Sequence, residues 1–126
     1  MKLAHYILSF LLFTLVACTE TKTLEVTATA YNSVESQTKK GDAETAAWGD
    51  KLRPGMKAVA VSRDLLKEEG IEHGSELRIS GLPGTYRVLD KMNKRWKKKI
   101  DIYMGENVQR AKEWGRQNVE ITWVLD

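Results

Sequence analysis

Short runs of alternating apolar and polar residues, each closed by a glycine or proline step, set the strongest limit on how this chain folds. LEVTATAYN sets Leu24, Val26, Ala28 and Ala30 against Glu25, Thr27, Thr29 and Tyr31, the period-2 pattern of a strand with one buried face. KAVAVS (57–62) is a short strand whose small side chains suit a crowded interior. Residues 76–80, 85–89, the IDIYM segment at 100–104 and the alternating run 118–125 complete six strands. Ser62 is placed to cap a short helix, RDLLKEEG, that ends at Gly70. A second helix runs from Glu106 to Trp114 and closes at Gly115. Ala46 to Leu52 reads as a helical turn before the Arg53-Pro54-Gly55 step. Six short strands and two or three short helices in so few residues point to a mainly β fold, a small barrel. No internal repeat or low-complexity tract competes with it. Asn32 to Glu44 is polar and lacks either period, so it reads as a long loop of the kind that often carries function.

The first eighteen residues are not part of that barrel. Lys2 precedes an apolar run from Tyr6 to Ala17 that is too short for a comfortable ~20-residue span and ends in small residues, as a secretory signal does. Leu15-Val16-Ala17-Cys18 resembles a bacterial lipobox, which implies cleavage before Cys18 and acylation of its thiol. Cys18 is the only cysteine of the 126 residues, so the exported domain forms no internal disulfide. The expected organisation is a signal at 1–17, a linker at 18–23 following lipidated Cys18, and one domain over 24–126. Acyl chains contribute about 0.8 kcal/mol per buried CH₂ and would hold that domain on an envelope membrane, facing the periplasm or exterior.

The formal charge of +3 drops by one when Lys2 leaves with the signal, so global charge decides little. Local charge decides more. Lys91, Lys94, Arg95, Lys97, Lys98 and Lys99 crowd one turn around Trp96. An exported protein does not meet nucleic acid, which leaves anionic glycan, peptide carboxylates or lipid headgroups as partners, with Lys91 and Arg95 as candidate contacts. The alternative is a solvated turn whose lysines guard a sheet edge.

The residues also exclude much chemistry. His73 is the one histidine of the mature chain, so a Ser or Cys triad and a multi-His/Cys zinc site are both out of reach; no metal and no cofactor are expected. No Gly-rich phosphate loop is present. Carboxylate chemistry or binding without catalysis remains. Asp90 and Asp101 lie eleven positions apart at apolar strand ends, Asp101 directly between Ile100 and Ile102. An ionised carboxylate there needs a partner, a proton or a ligand. Two facing carboxylates resist double ionisation, so one can hold a proton as the general acid that glycosidic cleavage requires. Alternation puts Tyr103 on the face of Asp101 as an aromatic edge for a sugar, and Tyr31 with Thr29 on the polar face of the first strand. A lysine-paired or turn-capping role for Asp101, and plain surface positions for the others, are the competing readings.

The ordered pieces VTATAYNS, LRPGMKAVAVS, HGSELRISGLPGTYRVLDKM, KKIDIYM and AKEWGR resemble the three-Asp (3D) domain. That is a double-psi β-barrel found in membrane-bound lytic transglycosylase A and in small exported wall-active proteins. The resemblance covers about Thr23 to Trp123. It implies a six-stranded double-psi barrel acting on peptidoglycan glycan strands, with Asp90 and Asp101 at the family's second and third aspartates and Asp101 as general acid. The family's first aspartate is replaced by Ser62, with Asp64 two residues on, and the small residues after the second are Lys91 and Met92. The resemblance therefore implies either lytic transglycosylase-like cleavage or, as in the similarly folded expansin barrels, glycan binding without cleavage.

Overall fold

A computed structural model describes residues 19–33 and 45–125; the signal-like segment, Cys18 and most of the polar loop lie outside the described residues. Strands β1 (Thr21–Tyr31), β2 (Ala58–Val61), β3 (Glu76–Ile79), β4 (Thr85–Lys91), β5 (Lys99–Tyr103) and β6 (Gln117–Val124) form a closed barrel in the order β1-β5-β2-β4-β3-β6. Helices α1 (Arg63–Glu68) and α2 (Val108–Trp114) complete it. The mainly β, six-stranded double-psi barrel expected from the sequence is the fold observed. Closure pairs every strand on both sides and leaves no open sheet edge.

The two faces of each strand go to different places. Val26, Ala28, Val59, Val61, Val88, Ile100, Ile102, Ile121 and Trp123 fill the barrel interior. Full burial of such aliphatic side chains contributes about 1.5–3 kcal/mol each, so the interior dominates stability. Ala58, Leu89 and Tyr103 face outward and are covered by Ala46 and Leu52 of the preceding loop. That loop shields one part of the outer face and leaves the neighbouring part open.

Several local expectations change. β1 begins at Thr21 within the run read as linker, because Thr21 to Thr23 pair with Thr122 to Val124 of β6. Residues 46–52 form a reversed turn and not a helical one. Gly49 at φ +92° turns the chain so that the Ala46 amide donates to the Asp50 carbonyl at 2.8 Å and Thr45 bridges Lys51. Ser62 sits at the N-cap of α1 but makes no side-chain cap bond, because its hydroxyl accepts the Lys99 amide at 3.0 Å. α2 starts two residues late, since the Asn107 side chain caps it by accepting from the Arg110 amide.

A bulge in β4 matters most for the site. The β2–β4 register runs Val59 to Val88 and then Ala60 to Asp90, so Leu89 is the extra residue. Strict alternation would send Asp90 into the barrel with Val88. The bulge sets it on the outer face instead.

Candidate functional site

Four strands bring one row of side chains together on the outer face. Thr29 pairs with Asp101, Asp101 with Ala60, and Ala60 with Asp90. The two aspartates are thus two strands apart, with Cα atoms about 10 Å from each other, and only the Ala60 methyl lies between. A groove of about 210 Å³ opens over that methyl, lined by Tyr31, Ala60, Asp90, Lys91, Met92, Asn93, Trp96 and Asp101.

The carboxylates differ in their surroundings. Asp90 Oδ1 accepts from the amides of Ala47 at 2.8 Å and Lys91 at 3.0 Å, and Oδ2 receives a long bond from the Tyr31 hydroxyl at 3.5 Å. It is fixed and well supplied with donors. Asp101 Oδ1 accepts from the Thr29 hydroxyl at 3.0 Å. Burial pushes the Asp101 carboxyl above the usual carboxylate range, with Asp90 adding to the rise, against the downward pull of the Thr29 bond and of Lys99. Asp101 therefore holds its proton more tightly than an exposed aspartate does. Burial, then Asp90 and Asp101, raise the Tyr31 hydroxyl far above the ordinary tyrosine range, so it stays protonated and can donate to Asp90.

Trp96 lines the groove, and cations lie against it and against the nearby Trp48. The Lys91 amine lies 5.4 Å from the centroid of Trp48, whose other neighbour is the His73 ring stacked at 4.7 Å. His73 in turn contacts Asp50 at 2.6 Å, which holds the loop to the barrel. Trp96 carries Lys99 at 3.6 Å and Arg95 at 4.8 Å from its ring centroid. Burial and then Arg116 lower the Lys99 pKa, against the opposing pull of Asp101.

The groove gathers Asp90, Asp101, Tyr31 and Lys91, with Thr29 behind Asp101 as a positioning group. It does not gather Tyr103 or Arg95. Tyr103 is 1% exposed beneath the loop, its hydroxyl 2.8 Å from Ser33 Oγ and its ring 5.5 Å from that of Tyr31, so it offers no edge to a sugar. The reason is the covering loop: Ala46 and Leu52 occupy the surface that alternation alone would leave open. Arg95 is exposed and leans on Trp96 outside the groove. Sequence reasoning missed Ala60, which is 5% exposed and forms the groove floor, because its run read as crowded interior. It also missed Trp96 as a groove wall; a tryptophan within a polar turn, with no strand pattern to bury it, was the available signal.

Ser62, which the sequence resemblance sets against the first aspartate of three-Asp proteins, is 0% exposed, and its hydroxyl and amide both bond Lys99 backbone atoms. Asp64 does not take over the missing role: its Oδ2 accepts the Lys98 amide at 2.9 Å, away from the groove lining. Among the described residues no cluster of three His, Cys, Asp or Glu side chains is placed to hold a metal ion.

No protein-family model and no curated protein matches this sequence. Among solved structures the chain is similar to an expansin of Clavibacter michiganensis in its apo form, with a TM-score of 0.55 and 21% identity over 83% of this chain. The chain spans about half (52%) of that structure's length. At this identity the likeness concerns the barrel fold. The resemblance to three-Asp proteins rests on the sequence motifs alone.

Proposed function

We propose that the domain is a cell-wall glycan-binding module that holds a peptidoglycan strand in the Asp90–Asp101 groove without cleaving it. The observation that carries this reading is the row Thr29-Asp101-Ala60-Asp90: two carboxylates flank an open groove whose floor is one methyl group. Carboxylates set apart in this way accept hydrogen bonds from sugar hydroxyls, and Trp96 supplies an apolar wall. The replacement of the family's first aspartate by a buried Ser62 removes a supporting carboxylate, which favours binding over catalysis, as does the fold likeness to an expansin.

A tether at acylated Cys18 fits this role. Only Thr19 and Glu20 would separate the lipid from β1, and Thr29 lies about 26 Å further along the strand, which would set the groove out toward the wall.

Co-sedimentation with purified sacculi tests the binding. The domain pellets with them, and the Lys97, Lys98 and Lys99 to Ala variant pellets less at low salt. Failure of the unaltered domain to pellet at low salt overturns the reading.

One observation favours a second reading, lytic transglycosylase-like cleavage: the raised pKa of Asp101. Protonated Asp101 would donate to the glycosidic oxygen between N-acetylmuramic acid and N-acetylglucosamine. The resulting carboxylate would then take the proton of the muramyl 6-hydroxyl as that oxygen closes on C1. Mass spectrometry of the digest decides between the two. Anhydromuropeptides that vanish with Asp101→Asn establish cleavage; their absence leaves binding alone.

A further inference from the structure

The loop that reaches the carboxylate groove at Ala47 walls a second cavity at its other end. This cavity, about 380 Å³, opens where β2 and β4 begin and β5 ends. Pro54, Pro83 and Tyr86 supply apolar wall, and the lining carries two cations, Lys57 and Arg110, against one acid, Glu106. The wall is close-built: Gly105 has φ +56°, and a Cβ there would stand 3.0 Å from Pro54 Cα.

Both cations have capacity left. The Lys57 amine donates to the Pro83 carbonyl at 3.1 Å, which parks it at the rim, and an ammonium has three donors. Among the described residues the ion pairs are Lys22–Glu69, His73–Asp50 and Arg87–Glu76, so neither Lys57 nor Arg110 is committed to a carboxylate among them.

We propose that this cavity is a second binding site, which takes the free carboxylate end of a short peptide. A guanidinium pairs with a carboxylate through two parallel hydrogen bonds, and the ammonium adds a point charge. The proline and tyrosine walls suit the small aliphatic side chain and planar amide that precede a terminal carboxylate. A bare inorganic anion would leave those walls unfilled. The site is independent of the groove, with which it shares no lining residue.

The test is titration of the isotopically labelled domain with N-acetyl-alanyl-alanine, followed by amide NMR shifts. The expected result is saturable shifts at Gly55, Gly105 and Arg110, with the C-terminal amide of the same dipeptide binding at least about tenfold weaker. Arg110→Gln and Lys57→Gln each weaken the acid by about tenfold, and Asp101→Asn leaves its affinity unchanged, which separates this outcome from any failure of the groove reading. Equal binding of acid and amide, no saturable shift, or shifts centred on Ala60 and Asp101 overturn the proposal. So does inorganic phosphate that displaces the dipeptide at equal concentration, since the cavity would then hold any anion.

Discussion

Asp101→Asn separates a functional carboxylate from a structural one, and the structure sets the size of the effect. The Thr29 hydroxyl donates to Asp101 Oδ1 at 3.0 Å, and an asparagine keeps an Oδ1 acceptor in the same place. The hydrogen bond, a contribution of about 0.5–1.5 kcal/mol, is therefore retained. What disappears is the charge. Burial raises the Asp101 pKa in the folded chain, so the folded state binds this proton more tightly than the unfolded state does. Stability is then greatest below the unfolded carboxylate pKa and falls as pH rises through the folded value. The asparagine variant shows no such fall. It also gives up the attraction of Lys99, which makes no direct ion pair with Asp101 and contributes less than about 1 kcal/mol. At pH 7 the variant should be as stable as the parent or up to about 1 kcal/mol more stable. That is a Tm unchanged or raised by at most about 4–8 °C for a domain near 100 residues. Thermal melts of both proteins from pH 3 to pH 8 measure it, with the gain in the variant shrinking toward acid pH. A Tm lowered by about 4 °C or more at pH 7 refutes the reasoning, because it means Asp101 is a structural acceptor whose loss costs about 1–3 kcal/mol.

Ala60→Val fills the groove floor with a side chain that suits a strand, so it should abolish sacculus pelleting while the domain stays folded, at a cost of no more than about 1–3 kcal/mol in urea titrations for a position this buried. Loss of binding accompanied by unfolding would count against Ala60 as a floor. Ser62→Ala removes the acceptor of the Lys99 amide at a fully buried position, and should lower stability by about 1–3 kcal/mol in urea titrations. Asp90→Ala frees the Ala47 and Lys91 amides, costs about 1–2 kcal/mol, and should speed proteolysis within 45–52; an unchanged cleavage rate would show that Asp90 does not hold the loop.

The barrel was legible because it depends on local pattern. Alternation in β1 and β6, the Ile100–Ile102 pair and the glycine steps between runs each specify a strand or a turn from nearby residues alone. The carboxylate pair was legible for a related reason, since an aspartate between two isoleucines is conspicuous at any distance. The start of β1 was less so. Thr21 to Thr23 are polar and become strand only because β6 is there to pair with them.

Which side chains actually meet was settled by packing. Tyr103 has the right phase to line the groove, yet a loop more than fifty residues away in sequence covers it. Asp90 has the wrong phase, and the bulge at Leu89 corrects it. Trp48 is held against Lys91 and His73, which come from other parts of the chain. The alternating residues by themselves determined a small closed barrel with an aspartate on an outward strand face, because strand period and turn chemistry act over a few residues. The groove was decided only in three dimensions, because its width, floor and electrostatics depend on strand register, and register arises from pairing between distant segments.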